Sequence, residues 1–133
     1  MLEVNLTGTY IVVRCALPWL ARAPFATIVN IASGQSLLPT PNLTAYAASK
    51  GGVVNLTRAL AAELAPAIRV NSVCPGLVDT PMTAGLERDV SRYALERMAD
   101  PLEIAQAILF LTGTESSFVT GAALAIDGGR TFH

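Results

Sequence analysis

Tyr46 and Lys50 stand four positions apart in the segment AYAASKGG, which covers residues 45–52. Because an α-helix turns once every ~3.6 residues, this spacing places the phenol and the ammonium on one helical face. A positive charge beside a phenol favours the phenolate, so such a tyrosine can work as a general acid or base near neutral pH. The side chains around the pair are small and predict room for a flat ligand: Ala45, Ala47, Ala48 and Ser49. Taken alone, the pair is also typical of a helix surface without a chemical role.

Further candidate residues stand where two predicted strands end. Ser33 follows the β-branched run ATIVNIA, residues 26–32. Pro75 and Gly76 follow the run IRVNSVC, residues 68–74. Ligands of parallel α/β sheets bind at the carboxyl edge of the strands, so we expect these residues to meet the tyrosine and lysine pair there. Each of them alone is equally compatible with an ordinary turn.

Predicted helices and strands alternate along the chain, which indicates an α/β fold with a parallel sheet. The first helix is apolar around nearly its whole circumference and is expected to be buried on more than one side. The charged, aperiodic stretch 77–98 predicts a loop with one or two short helices, a candidate lid. The predicted order is helix 2–22, strand 26–32, helix 42–65, strand 68–74, helix 101–112 and strand 122–126.

Two helix boundaries carry specific signals. The last helix has Asp100 as N-cap, Pro101 at its first position, Glu103 completing a capping box and Gly113 beyond its end. For the middle helix, Asn42 or Thr44 is the predicted N-cap, and Pro66 is expected to end it. An Asp-Gly-Gly turn at 127–129 follows the last strand.

Composition excludes several classes of protein. At 133 residues the chain is expected to form a single domain, 1–133. Nine basic and ten acidic residues give a formal charge of -1, so we expect no nucleic-acid partner. The longest apolar run is interrupted by Arg14 and Pro18 and is too short to span a membrane. The hydrophobic content of 52% predicts burial against further subunits or neighbours.

The two cysteines, Cys15 and Cys74, predict neither a disulfide framework nor a metal site. Cys74 is expected to be a small buried residue and not a nucleophile. No cluster of histidine, cysteine and carboxylate residues suggests a metal ion. With no secretion signal recognisable at the N-terminus, we expect a cytoplasmic protein.

Together these motifs resemble the C-terminal half of a classical short-chain dehydrogenase/reductase. The resemblance covers nearly the whole chain in the order and spacing of that family. It implies a truncated Rossmann-type parallel sheet of three strands with flanking helices. The matching segments are VNLTG at 4–8, IVNIAS at 28–33, YAASK at 46–50, RVNSVCPGLVDTPM at 69–82, DPLEIAQAILFL at 100–111 and VTGAALAIDGG at 119–129.

The resemblance implies hydride transfer between NAD or NADP and a small carbonyl or secondary alcohol substrate. Tyr46 would be the general acid/base, and Lys50 would favour its phenolate and hold the nicotinamide ribose hydroxyls. Ser33 would donate a hydrogen bond to the substrate oxygen. Asn5 matches the helix asparagine that helps to position a water in the proton relay.

The resemblance also implies cofactor contacts in the segment after the second strand. Pro75, Gly76, Val78 and Thr80 match the residues that hold the nicotinamide end, and Met82 would lead into the substrate lid. The 133 residues contain no TGxxxGxG turn, which binds the pyrophosphate in complete members. The N-terminal βαβ half that binds the cofactor is thus absent. The residue that selects NAD or NADP would lie in that half, so these residues do not indicate which of the two is used.

The missing half has a structural consequence, because the strand at 26–32 would have an unpaired outer edge. We therefore expect either a piece of a longer polypeptide or a chain that folds with another copy or partner. The helices at 2–22 and 42–65 resemble the pair that forms the family's dimer, and Gly51 and Gly52 would allow close approach there. A homodimer or homotetramer is expected. The alternative is a catalytically inactive oligomerisation module that binds no dinucleotide.

Overall fold

The computed structural model describes residues 1–84 and 89–131, and it folds into three parallel strands with flanking helices. This confirms the predicted α/β class and the three-stranded, Rossmann-type sheet. A π-helical turn, Glu3–Thr7, leads into helix α1, and short 3₁₀ turns follow the first strand and the last helix. The elements are α1 Gly8–Leu20, β1 Ala26–Ile31, α2 Thr44–Leu64, β2 Ile68–Pro75, α3 Pro101–Thr112 and β3 Ala123–Ile126.

The strand order is β1-β2-β3, with both pairs parallel. Ile31 pairs with Val73 at the end of β1, and Pro75 pairs with Ile126 at the end of β2. The central strand β2 is almost wholly buried, as its mostly apolar and small residues suit, and its polar Arg69 and Asn71 make side-chain hydrogen bonds. As predicted, β1 lies at an edge of the sheet.

Two buried clusters form the core. The first fixes α1 and α2 against the amino ends of the strands, and the second fixes α2 behind their carboxyl ends. A buried hydrogen bond of 2.9 Å from Asn30 Nδ2 to Thr57 Oγ1 links β1 to α2 between them. The first cluster contains Val13, Ala26, Leu60, Ala61, Ile68 and Val70, and the second contains Ala32, Val53, Val54 and Cys74.

Helix α1 differs from the prediction. Only Val13 is buried among its residues, whereas Ile11, Val12 and Trp19 are exposed. Within this chain, the apolar side chains of α1 are therefore buried on one side of the helix only. The prediction of burial on more than one side is wrong for the described residues, because Val13 alone of α1 is buried there, and it packs in the first cluster with residues of α2 and the sheet.

The helix ends match the predictions in part. In α3 the Asp100 carboxylate accepts a hydrogen bond of 2.7 Å from Leu102 N, and Glu103 Oε2 accepts one of 2.8 Å from Asp100 N, so the capping box is confirmed. Helix α2 ends at Leu64, just before Pro66 as expected. Its N-cap is Leu43, which has no side-chain cap, so the predicted caps at Asn42 and Thr44 are wrong.

The stretch 77–98 forms turns and extended loop, with no helix in its described parts, 77–84 and 89–98. The predicted short helices are therefore wrong for those residues. The remaining four, 85–88, lie outside the described residues. A short parallel bridge between Val78 and Ala99 ties the two ends of the stretch together.

Candidate active site

A cleft of about 480 Å³ opens at the carboxyl ends of β1 and β2. Most of its lining comes from the turn after β1, the first turns of α2 and the loop after β2. All predicted catalytic and cofactor-binding residues except Asn5 lie in this lining, together with the predicted lid residue Met82. They are Ser33, Tyr46, Lys50, Pro75, Gly76, Val78 and Thr80.

Ser33 is held rigidly at the floor of the cleft. Its Oγ accepts a hydrogen bond of 3.2 Å from Gln35 N, and its own N–H donates to Ser36 Oγ at 3.2 Å. This reciprocal pair caps the 3₁₀ turn Gly34–Ser36. A hydroxyl has one donor besides its acceptor sites, so the Ser33 O–H can still be donated to a ligand oxygen.

Lys50 is fixed by a contact that the sequence did not predict. Its Nζ donates a hydrogen bond of 2.8 Å to the Ile31 carbonyl, at the carboxyl end of β1. The side chain is half-buried, and this burial lowers the pKa of Lys50 from its ordinary value. An ammonium has three donors, so two remain for ligand or water. Lys50 also lines a groove of about 600 Å³ along the outer side of β1, here called the edge groove.

Asn5 lies in the edge groove and not in the cleft. Its Nδ2 donates to Ser49 Oγ at 3.0 Å, and that hydroxyl donates to the Tyr46 carbonyl at 2.8 Å. Asn5 thereby binds the backbone turn that carries the tyrosine. It also sits at the middle of the π-helical turn, a distortion that occurs frequently at functional sites.

The small residues around Tyr46 serve packing more than a ligand. Ala47 and Ser49 are buried against the rest of the fold, whereas Ala45 and Ala48 are exposed. The interpretation that all four leave room for a flat ligand is therefore wrong for the two buried ones. The room is supplied instead by the loop after β2.

The loop after β2 is held close to β3. Gly76 N donates to the Ile126 carbonyl at 3.0 Å, which extends the strand pairing by one step. A Cβ at Gly76 would lie 2.8 Å from the Asp127 Cα and 2.9 Å from the Tyr93 ring, so only glycine fits this close approach. Gly76 is thus a packing requirement of the cleft wall.

Further along the loop, threonine hydroxyls fix the backbone. Thr83 Oγ1 donates to the Val78 carbonyl at 2.7 Å and accepts from Thr80 N at 3.0 Å. The ordered loop presents hydroxyl and backbone groups opposite Lys50. This donor and acceptor set fits the amide and ribose of a nicotinamide nucleoside, whereas the described residues provide no glycine-rich turn for a pyrophosphate.

Two residues of the cleft lining were missed by the sequence reasoning, Tyr93 and Arg130. Burial raises the pKa of the Tyr93 phenol. Arg130 is only 5% exposed, and its Nη2 donates to the Leu38 carbonyl at 2.9 Å. The position of Arg130 directly after the Asp-Gly-Gly turn, at the same strand edge as the site, was an available signal for it. Tyr93 lies in a loop without periodicity and had none.

Other candidates for chemistry are accounted for in the described part of the chain. Cys74 is fully buried, and this burial raises the pKa of its thiol, as suits a packing residue. Among residues 1–84 and 89–131, no group of three histidine, cysteine or carboxylate side chains is placed to hold a metal ion. Within the same residues, every helix is too short or too polar to cross a membrane.

Comparison with known proteins matches this architecture. A family model described as enoyl-(acyl carrier protein) reductase matches residues 1–131. The chain is 50% identical to the trans-4-hydroxycyclohexanecarboxylate dehydrogenase of Sinomonas cyclohexanicum over 98% of its own length and 50% of the relative's. It is 44% identical to the 3-oxoacyl-(acyl-carrier-protein) reductase of Thermotoga maritima, over 97% of this chain and 55% of that one.

Solved structures agree. The ligand-free aldohexose dehydrogenase of Thermoplasma acidophilum superposes with a TM-score of 0.92 at 34% identity, covering 100% of this chain and 58% of that one. The 3-ketoacyl-(acyl-carrier-protein) reductase of Brucella melitensis complexed with NADH gives a TM-score of 0.92 at 37% identity, with coverage of 99% and 57%. The chain belongs to the short-chain dehydrogenase/reductase family, an oxidoreductase family. It spans about half the length of the curated relatives it matches.

Proposed function

We propose that this chain supplies the catalytic half of an oxidoreductase that transfers hydride between NAD(P)(H) and a carbonyl or secondary alcohol. The observation that carries the proposal is the shared lining of one cleft. Ser33, Tyr46 and Lys50 meet the loop after β2 there, at the carboxyl edge where parallel α/β sheets bind ligands.

The proton chemistry is assigned to three side chains. In reduction, the Ser33 hydroxyl donates a hydrogen bond to the substrate carbonyl and stabilises the charge that develops on its oxygen. Tyr46 donates the proton to that oxygen, and in alcohol oxidation its phenolate accepts the proton. Lys50, fixed by the Ile31 carbonyl, brings a positive charge into the same cleft as the Tyr46 phenol. The nicotinamide supplies or accepts the hydride when it is bound.

Asn5 is assigned a supporting role. It shares the edge groove with Lys50, and through Ser49 it holds the backbone carbonyl of Tyr46. From this groove it can position a water beside the ammonium. In alcohol oxidation the ammonium would release a proton to that water as it receives one from the side of Tyr46, and in reduction the transfer would run in the opposite direction. The hydrogen bonds from Asn5 to Ser49 and from Ser49 to the Tyr46 carbonyl were not predicted from the sequence.

The nicotinamide end of the cofactor is assigned to the loop after β2. Pro75, Gly76, Val78 and Thr80 would face the carboxamide, and Lys50 would hold the ribose hydroxyls. The similarity to a reductase and a dehydrogenase whose structures are complexed with NADH supports a nicotinamide cofactor. Relatives are named for substrates as different as a cyclohexanecarboxylate and a hydroxysteroid, so a small carbonyl or alcohol compound is the substrate class proposed here.

The test is a chimera in which this chain replaces the C-terminal half of the Thermotoga maritima reductase. We expect it to oxidise NADH or NADPH in the presence of a ketone. Tyr46→Phe should slow the rate by about 10²–10⁴-fold, because the proton donor is lost. Tyr10→Phe, at an exposed tyrosine of α1, is the matched control and should leave the rate unchanged. A chimera that is active to the same extent with Tyr46→Phe would contradict the proposal.

A second candidate function is an inactive oligomerisation module that binds no dinucleotide. The open edge of β1 and the exposed apolar side chains of α1 favour it. Fluorescence titration of the purified chain with NADH and NADPH separates the two candidates. Saturable binding would exclude the inactive module, whereas a homodimer or homotetramer without nucleotide binding would favour it.

A further inference from the structure

A second pocket, of about 420 Å³, adjoins the cleft and shares Arg130 with it. We call it the arginine pocket. Its walls come from the loop between β1 and α2, the stretch 89–98, and the residues after β3. The lining consists of Leu38, Pro39, Thr40, Ser91, Arg92 and Arg130.

Arg130 is the unusual residue of this pocket. It is 95% buried, yet among the residues that the structure describes no carboxylate forms an ion pair with it. The guanidinium has five N–H donors, and the hydrogen bond described for its side chain uses one, to the Leu38 carbonyl. Buried charges in proteins are normally paired, so this guanidinium is poised for an anion.

Two acidic residues close in sequence to the pocket lining, Asp127 and Asp89, have carboxylates that accept hydrogen bonds from their own turns and not from the Arg130 guanidinium. Asp127 Oδ1 accepts a hydrogen bond of 3.0 Å from Gly129 N, while its Oδ2 is buried without a hydrogen-bond partner in the described residues. Asp89 accepts from both the N–H and the hydroxyl of Ser91, at 3.0 and 2.6 Å. The lining of the arginine pocket itself carries two cations and no acid.

We propose that Arg130, assisted by Arg92, binds a carboxylate of the substrate while the reacting carbon lies at Ser33 and Tyr46. This inference rests on the proposed function and narrows its substrate class to oxo acids and hydroxy acids. A guanidinium matches a carboxylate with two parallel hydrogen bonds, which gives orientation as well as affinity. Leu38 and Pro39 offer apolar contact to the hydrocarbon between the two polar ends.

The test compares two ketones that differ in charge and hardly in shape, 4-acetylbenzoate and 4-acetylbenzamide. Their dissociation constants for the 133-residue chain are measured by ligand-observed NMR. We expect the carboxylate to bind about tenfold more tightly than the amide, since hydrogen bonds between charged groups are the stronger ones. Arg130→Gln should remove this preference, and Arg58→Gln, at an exposed arginine of α2, should retain it.

A purely structural role of Arg130 would weaken both ligands equally and keep their ratio, which would overturn the proposal. Equal affinities in the unmodified chain would do the same. If circular dichroism shows that Arg130→Gln does not fold, the exposed Arg92→Gln decides: a reduced preference supports the subsite, and an unchanged one refutes it.

The outcome is separable from that of the proposed reaction. Binding of the carboxylate does not need the phenol, so the preference should persist in Tyr46→Phe. A preserved preference together with Tyr46-independent turnover of the chimera would retain the subsite and reject the reaction. Tyr46-dependent turnover without a carboxylate preference would retain the reaction and reject the subsite.

Discussion

The two edges of the sheet are organised in opposite ways. On the β3 side, side chains of β2 reach across to the loop before β3: Asn71 Nδ2 donates to the Val119 carbonyl at 2.9 Å, and Asn71 Oδ1 accepts from Ala122 N at 3.0 Å. Arg69 donates to the Val119 and Gly113 carbonyls as well. On the β1 side, Lys50 contacts the Ile31 carbonyl, and beyond it lies the edge groove.

This difference shows which parts of the site are stabilised by contacts within this chain. The cleft wall formed by the loop after β2 depends on β2, β3 and the segment between α3 and β3, which are joined by hydrogen bonds. The other edge leaves backbone groups and the apolar face of α1 without cover. We infer that a further strand or a further chain lies there in the working protein, while the cleft is formed without it.

The largest expected effect is a contrast between alternate amides of β1. Ala32 N donates to Val73 O, so the amides of Ile28 and Asn30 also face β2, whereas those of Val29 and Ile31 face outward. By hydrogen exchange the inward amides should show an opening free energy about 5 kcal/mol or more above that of the outward ones. Equal protection of both sets would mean that the open edge is paired, and would break the comparison.

The next effect concerns the hydrogen bonds between β2 and the segment before β3. Asn71→Ala removes two hydrogen bonds in a site that is 1% exposed. It leaves the Ala122 N–H without its partner, while the Val119 carbonyl keeps only the hydrogen bond from Arg69. The free energy of unfolding should fall by about 2–4 kcal/mol, measured by urea denaturation. Asn55→Ala, on the exposed face of α2, is the control and should change it by less than about 0.5 kcal/mol. Similar losses of unfolding free energy for both variants would contradict the inference that Asn71 stabilises the β3 side of the sheet.

Two adjacent glycines of α2 give a smaller effect. A Cβ at Gly52 would meet the Leu6 side chain at 2.7 Å, whereas nothing lies within 4 Å of one at Gly51. A side chain at Gly52 would therefore require Leu6 to move, so packing within the chain restricts this position. The sequence prediction placed both glycines at a subunit contact. Gly51→Ala should stabilise an isolated chain by up to about 1 kcal/mol, because alanine favours helix. A destabilised Gly51→Ala whose loss grows with protein concentration would instead place a subunit interface at this face.

The smallest effect is at the N-terminus of α3. Arg97 forms two hydrogen bonds of 2.8 Å with Glu103, and together with Asp100 N they lower the pKa of Glu103 from 4.5 to about 2. A carboxyl whose pKa is lowered on folding stabilises the fold above its unfolded pKa, and that contribution is lost as the pH falls from 4.5 towards 2. Glu103→Gln should therefore lower the melting temperature modestly at pH 7, and the difference should shrink below pH 4.5. A difference that is constant with pH would exclude this ion pair as its cause.

The features that were predictable from sequence are those set by local rules or by topology. The capping box of α3 was predictable because all its contacts lie within four residues. The meeting of Ser33, Tyr46 and Lys50 in one cleft followed from the parallel sheet, whose strand ends share an edge.

The features that were not predictable depend on contacts across the fold. Lys50 meets the Ile31 carbonyl and Ser49 bridges Asn5 to the tyrosine turn only because α1, β1 and α2 pack as they do. The burial of Arg130 depends on a loop 92 residues earlier in the sequence. The exposure of α1 depends on which elements pack beside it, which no periodicity can indicate.

The central claim is that the nicotinamide end of the cofactor lies beside Lys50 in the cleft. Lys50 is the only lysine of the sequence, so ¹⁵N labelling of lysine gives a single side-chain ammonium signal. Titration of the labelled chain with reduced nicotinamide mononucleotide, which lacks the adenosine half, measures the claim directly. We predict a saturable shift of the Lys50 Nζ signal and a nuclear Overhauser effect between the nicotinamide ring and Tyr46. Saturable binding that leaves the Lys50 signal unmoved would contradict it.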